Sequence, residues 1–223
     1  MELPFSEFTL AASTADLDEE PAAREAADCV EFRMDLAEEP LADLEAYDGE
    51  LPILATNRAI WEGGEAEDDG RLADLAVALE SEAVAAIDVE LAAVESGDAD
   101  ELLAAADGDV SVVVSAHDFE ATPPRAELES TLRRAAARGD VAKIATTVAD
   151  RDDSLALLSA TRALTKEGLA VATMGMGAVG SHTRAVAPVY GSKIGYAPVD
   201  PADATAPGQY DLATLRRLVD ALE

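Results

Sequence analysis

Cysteine occurs once in this sequence, at Cys29, and histidine twice, at His117 and His182. One thiol cannot close an internal disulfide, and so few Cys and His ligands fall short of a four-coordinate structural zinc site, so neither oxidised staples nor a Cys/His metal centre is expected. No run of about 18 apolar residues occurs, and no basic start leads into an apolar stretch, so the sequence supports neither a membrane span nor a signal peptide. The chain reads as cytoplasmic. No GxGxxG or GKS loop follows an apolar stretch, which argues against a nucleotide-binding open sheet. Lysine is nearly missing too: Lys143, Lys166 and Lys193 stand alone beside thirteen arginines.

What the chain has in excess is acid. Forty-six Asp and Glu against sixteen basic residues leave a net charge of −30, which repels phosphate backbones and anionic lipid, so neither nucleic acid nor membrane is expected as a partner. The acids are spread along the whole sequence, and with 49% hydrophobic residues the chain carries too much apolar material for a disordered acidic tail. They are expected to coat a folded surface adapted to high salt, where screening removes the self-repulsion. An acid-coated surface that has discarded lysine makes each remaining lysine a residue in need of a reason.

Length points to one domain over residues 1–223. Apolar, β-branched stretches recur at 8–13, 29–35, 52–57, 86–91, 110–117, 142–148, 169–175 and 191–198, predicting eight strands. Between them, Leu and Ala at helical spacing alternate with charges over 21–28, 71–83, 123–138, 150–167 and 210–223. Thr122 before two prolines and Asp150 are the expected helix caps. Eight strand and helix pairs in this length predict an α/β fold, a single (β/α)8 TIM barrel, whose reactive groups come from the C-terminal ends of the strands. The Ala/Pro-rich stretch 197–208 is expected to close over that end as a loop.

Lys143 sits in Val-Ala-Lys-Ile-Ala-Thr-Thr-Val, which otherwise reads as a buried parallel strand. A buried amine is either held in an ion pair by a carboxylate or tuned to attack a ketone and form an imine. Lys166, in the last turn before Gly168, complements a helix dipole, and Lys193 opens the last strand as a structural residue. His117 ends the fifth predicted strand, one strand before Lys143, a position suited to proton transfer or to a satisfied structural histidine. Nothing recommends His182 beyond its closeness to Arg184. Glu31 and Arg33 alternate on one face of the second strand, with Val30, Phe32 and Met34 on the other, and form either a substrate-holding stripe or an ordinary ion pair. Arg58 and Glu62 read as catalytic-end residues or as solvated loop charges. Arg184, Thr205 and Gln209 lie in the last third, where a turn can present an amide and an arginine can fork onto a carboxylate.

Taken in order, Glu31-Phe32-Arg33-Met34-Asp35, Arg58 with Glu62-Gly63-Gly64, Ser115-Ala116-His117-Asp118-Phe119, Lys143-Ile144-Ala145, Met176 through Arg184, Gly191-Ser192 and Ala206-Pro207-Gly208-Gln209 resemble the type I 3-dehydroquinate dehydratase family over nearly the whole chain. The resemblance implies that Lys143 forms a Schiff base with the ketone of 3-dehydroquinate, that His117 moves the protons, and that Glu62 orients His117, with 3-dehydroshikimate and water as products. It also implies that Arg184 and Gln209 bind the substrate carboxylate and its surroundings and that Glu31, Arg33 and Arg58 hold ring hydroxyls. Phe32, Thr205 and Ser13 complete the expected substrate-binding set. Neither metal nor cofactor is implied, and a homodimer is. Two departures stand out: Thr205 where members often have serine, and Gly195 where a threonine commonly precedes the aromatic.

Two alternatives fit parts of the same sequence. Another Schiff-base barrel, an aldolase or transaldolase, would use the same kind of strand lysine on phosphorylated substrates. A non-catalytic acidic binding protein would use the charge alone, leaving the neighbouring His117 and Lys143 unexplained.

Overall fold

The computed structural model describes residues 2–106, 108, 110–200, 202 and 208–222. Eight parallel strands follow one another around a sheet in the order β7-β6-β5-β4-β3-β2-β1-β8: β1 Thr9–Thr14, β2 Cys29–Arg33, β3 Ile53–Thr56, β4 Val84–Glu90, β5 Ser111–Asp118, β6 Val141–Thr147, β7 Val171–Met176 and β8 Ile194–Pro198. The two ends meet where Lys193 N donates to Val171 O at 2.7 Å beside a parallel Val171–Ser192 bridge. The nearly closed barrel is the predicted architecture, and all eight strands fall on the predicted stretches, with shifted ends.

Side-chain alternation along each strand divides two cores. Outward residues such as Val30, Phe32, Ile87, Val114 and Ile144 pack against helices including Arg125–Ala136 and Arg151–Lys166. Inward, each strand gives one apolar residue to a common layer: Ala11, Cys29, Leu54, Ala86, Val113, Val141, Ala172 and Ile194, plugged from below by Leu3 and Phe5 of the N-terminal segment. Two residues further along the strands the inward positions are Ser13, Glu31, Thr56, Asp88, Ser115, Lys143, Met174 and Tyr196. The interior therefore changes from oily to charged in one step of the pleat, toward the C-terminal ends.

Several helices depart from expectation. The helix after β1 is short, Glu20–Ala23, and Pro40–Ala46 and Leu91–Ser96 were not legible in the sequence. Asp150 caps Arg151–Lys166 as expected, accepting from the backbone N–H of Asp152 and Asp153. Thr122 does not cap its helix: its hydroxyl donates to Thr147 O at 2.8 Å and tethers the loop to β6, while Pro124 takes the cap position with no side-chain bond. Lys166 lies in the last helical turn and Lys193 reaches Ser6 O at the bottom of the barrel. Among the described residues no helix is long and apolar enough to cross a membrane.

Candidate active site

At the C-terminal end of the barrel a cavity of about 570 Å³, counting its open mouth, is lined by Lys143, His117, Glu62, Glu31, Arg33, Arg58, Arg184 and Gln209 among others. Eight of the predicted site residues are thus brought to one space from six strands and their loops. Phe32 is not among the lining residues. Its side chain is fully buried in the layer between sheet and helices, because alternation turns it away from Glu31 and Arg33. Ser13 is not among the lining residues either; it is buried, and its hydroxyl donates to Oε2 of Glu31, which lines the cavity. Thr205, with most of the second half of the 197–208 stretch, lies outside the described residues.

Lys143 is 4% exposed, and its Nζ lies 2.8 Å from Asp88 Oδ2 and 4.0 Å from Glu31 Oε1. The ring of Tyr196 sits below the amine, 4.2 Å from Nζ to the centroid. Asp88 also binds Arg58 through Oδ1, and Arg58 continues to Glu90 Oε1 at 3.0 Å, whose other oxygen takes Arg71 at 2.8 Å. Opposite charges therefore alternate from the amine outward to Arg71, which pairs with the exposed Asp68 and packs under Trp61. Burial alone would raise the Asp88 carboxyl, but Arg58 and Lys143 beside it hold it well below the usual carboxylate range.

β5 and β6 are registered with Ser115 opposite Lys143 and His117 opposite Ala145, so the imidazole stands one pleat above the amine on the neighbouring strand. Burial, and then the charges of Arg58 and Lys143, push His117 well below the ordinary imidazole value, so it is neutral at ordinary pH. Its Nδ1 meets Glu62 Oε1 at 2.9 Å, which leaves Nε2 for the cavity. Phe119 stacks on the imidazole, centroids 5.9 Å apart and planes 11° apart. Gly63 makes room for that ring: its φ is 79°, and a Cβ there would lie 2.3 Å from Phe119 Cζ. Burial lifts Glu62 itself to about 7, against the pull of Arg58.

The arginines divide. Arg33 forks onto Asp35 at 2.9 and 2.7 Å and not onto Glu31, whose Oε1 accepts from Thr56 at 3.3 Å. Arg184 is 4% exposed with its Nε unpartnered among the described residues, and burial brings it down to about 10. A buried guanidinium left short of acceptors is a receptor for an anionic group. His182 faces away, its Nδ1 3.0 Å from Val179 O. No group of three or more His, Cys, Asp or Glu among the described residues is arranged to hold a metal ion.

Asp88, Glu90 and Tyr196 stand beside the amine or its chain of ion pairs without being among the residues expected from the sequence. The signal was present: Ile87-Asp88-Val89-Glu90 alternates acids within an apolar strand in the same way as Glu31 and Arg33. In so acidic a chain, two more carboxylates did not stand out.

A family model for type I 3-dehydroquinase matches residues 9–223. The chain is similar to the 3-dehydroquinate dehydratase of Haloarcula marismortui, 63% identical with 99% of each chain covered, and to that of Halobacterium salinarum, 51% identical with 99% of this chain and 100% of the relative covered. Among solved structures, the type I 3-dehydroquinate dehydratase of Clostridium difficile superposes with a TM-score of 0.85 at 28% identity, covering 97% of this chain and 92% of that one.

Proposed function

We propose catalysis through an imine on Lys143, from one premise: the chain belongs to the type I 3-dehydroquinase family and is a hydro-lyase that converts 3-dehydroquinate to 3-dehydroshikimate and water in the shikimate pathway. That assignment sets aside the aldolase and the non-catalytic binding protein. The observation that carries the imine reading is a buried amine opening into the same cavity as a neutral imidazole and an under-bonded guanidinium.

In this reading the neutral amine of Lys143 attacks the substrate ketone. A C–N bond forms, the carbonyl oxygen leaves as water carrying one proton from the amine and one taken up from solvent, and the nitrogen keeps its other proton as a cationic imine; the proton taken up is returned when the imine is hydrolysed. That cation acidifies the adjacent carbon. His117 takes the proton through Nε2, and the electron pair of the C–H bond flows to nitrogen as an enamine. The enamine pair returns, expelling the substrate hydroxyl, which leaves as water with the proton that His117 held. A second water hydrolyses the imine and frees Lys143, so one water is lost overall.

Glu62 holds the Nδ1 proton of His117 and so keeps Nε2 unprotonated. Arg184 with Gln209 receives the substrate carboxylate, and Glu31, Arg33 and Arg58 face the ring hydroxyls. Ser13 acts on Glu31, and Phe32 contributes through its backbone and packing. Thr205 is assigned to the substrate by the resemblance alone. The chain acts as a single domain, in the cytoplasm, as a homodimer and without metal or cofactor. The acid coat serves stability in salt.

Reduction with borohydride in the presence of 3-dehydroquinate tests the reading. Mass mapping is expected to find the adduct on Lys143 and to lose it in Lys143→Ala. An adduct on another residue, or turnover surviving in Lys143→Ala, overturns it.

A further inference from the structure

One carboxylate serves both Lys143 and Arg58. Asp88 Oδ2 accepts from Nζ at 2.8 Å, while Oδ1 accepts from Arg58 and, at 2.6 Å, from Ser115 Oγ. Ser115 Oγ in turn accepts from Arg58 Nη1 at 2.9 Å. Asp88 is 2% exposed and Ser115 is fully buried, so solvent does not screen these contacts. Both oxygens of Asp88 are committed, one to the reacting nitrogen and one to a permanent cation.

We propose that Asp88 is the counter-ion of the cationic imine, and that Arg58 and Ser115, by occupying its other oxygen, limit how firmly it holds that charge. The inference rests on the imine reading above and adds a residue to it. The nitrogen has little room to move when the imine forms, because the side chain of Lys143 is 4% exposed and its Nζ is held between Asp88 and the ring of Tyr196. Its remaining N–H therefore still faces Oδ2. Asp88 stays ionised, since Arg58 and Lys143 outweigh its burial, and so it stabilises the positive charge without removing the proton.

Sharing matters because the cycle needs the nitrogen both charged and neutral. An unshared buried carboxylate would hold the ammonium so tightly that the nucleophilic amine is scarce, and it would disfavour the enamine, whose nitrogen carries no charge. A carboxylate divided with an arginine favours the cation less. The other groups facing the amine are Glu31 from β2, Arg58 beyond β3, His117 from β5 and the Tyr196 ring from β8, with Glu62 and Glu90 farther out. Among the described residues, Asp88 is the side chain that hydrogen-bonds Nζ.

The test measures the rate of trapping by cyanoborohydride with 3-dehydroquinate as a function of pH, in the wild type, Asp88→Asn and Ser115→Ala. Asparagine keeps the shape and an accepting oxygen but removes the charge, so proton loss from nitrogen becomes easier. The acid limb of the profile is expected to move down by about one pH unit or more, with kcat falling at least about tenfold and KM changing less. Ser115→Ala removes the hydroxyl that draws on Oδ1, leaves Asp88 more basic, and is expected to move the same limb upward by less. A purely structural role predicts no shift of opposite sign in the two variants. An unmoved limb in folded Asp88→Asn overturns the proposal, and if that variant does not fold, a Ser115→Ala limb that stays or moves down does so. Absence of a Lys143 adduct in the wild type is a separate result and sinks the imine reading itself.

Discussion

Glu62 Oε1 stands 2.9 Å from His117 Nδ1, joining the turn after β3 to the end of β5. Both groups are taken out of water, and burial moves each toward its neutral form, Glu62 up to about 7 and His117 well below the usual imidazole value. The contact thus places a carboxyl that titrates near neutrality against a base that does not.

Ionised Glu62 accepts the Nδ1 proton and leaves Nε2 free, so kcat is expected to rise with pH through about 7. Glu62→Gln removes that limb and lowers kcat by at least about tenfold. Stability changes in the opposite sense. The unfolded carboxyl ionises around its ordinary 4.5 and the folded one only at about 7, so the wild type loses stability as pH rises between those values and stays lower above them. At alkaline pH the Gln variant is expected to be the more stable, by on the order of 3 kcal/mol at most. Melting at pH 8 and the pH profile of kcat check both signs, and a Gln variant that melts lower at pH 8 contradicts the burial argument.

Arg184→Ala is expected to raise KM for 3-dehydroquinate by roughly ten- to a hundredfold, the equivalent of about 1.5–3 kcal/mol for a charged hydrogen bond. Folding stability is not expected to fall in step, because the Nε lost is an unpartnered donor and the charge lost is buried. Steady-state kinetics and thermal melting separate the two. An unchanged KM removes Arg184 from substrate binding.

Gly195 occupies a point on β8 where a Cβ would lie 2.7 Å from the ring of Phe8. The departure from threonine is therefore filled from the N-terminal side by an aromatic ring. Gly195→Thr alone is expected to destabilise by about 1–3 kcal/mol through overpacking, and the double variant with Phe8→Ala is expected to recover part of that loss. Additive losses in a double-mutant cycle would show that the two positions do not share the space.

A net charge of −30 is expected to make stability depend on salt. Exposed pairs such as Arg133–Glu167 at 2.7 Å are weakened by salt, but pairs in water contribute little to stability, and that net charge leaves far more repulsions than attractions to screen. The melting temperature is expected to rise steadily from dilute buffer to molar potassium chloride. A melting temperature independent of salt rejects the adaptation.

Strand number and order were legible because each strand of a barrel is buried on both faces and reads as an apolar run. Lys143 and His117 were legible because this chain has almost no other lysine or histidine, which makes those two residues conspicuous. Asp88 was hidden by the reverse condition. Phe32 lies inside the Glu31–Arg33 string that marks the site, but strand alternation turns its side chain to the helices. The helix 40–46 was missed because its two turns carry too few apolar positions to show a period.

What the sequence by itself determined is which side chains share a face of each strand, since successive residues of a strand face opposite ways whatever the strand later pairs with. Only the tertiary structure decided the partners. Asp88 reaches Lys143 across 55 residues of sequence, and Glu62 reaches His117 across the same separation; closing the barrel brings these strand ends around one cavity, and excluding water there leaves the Asp88–Lys143 contact unscreened and keeps the imidazole neutral.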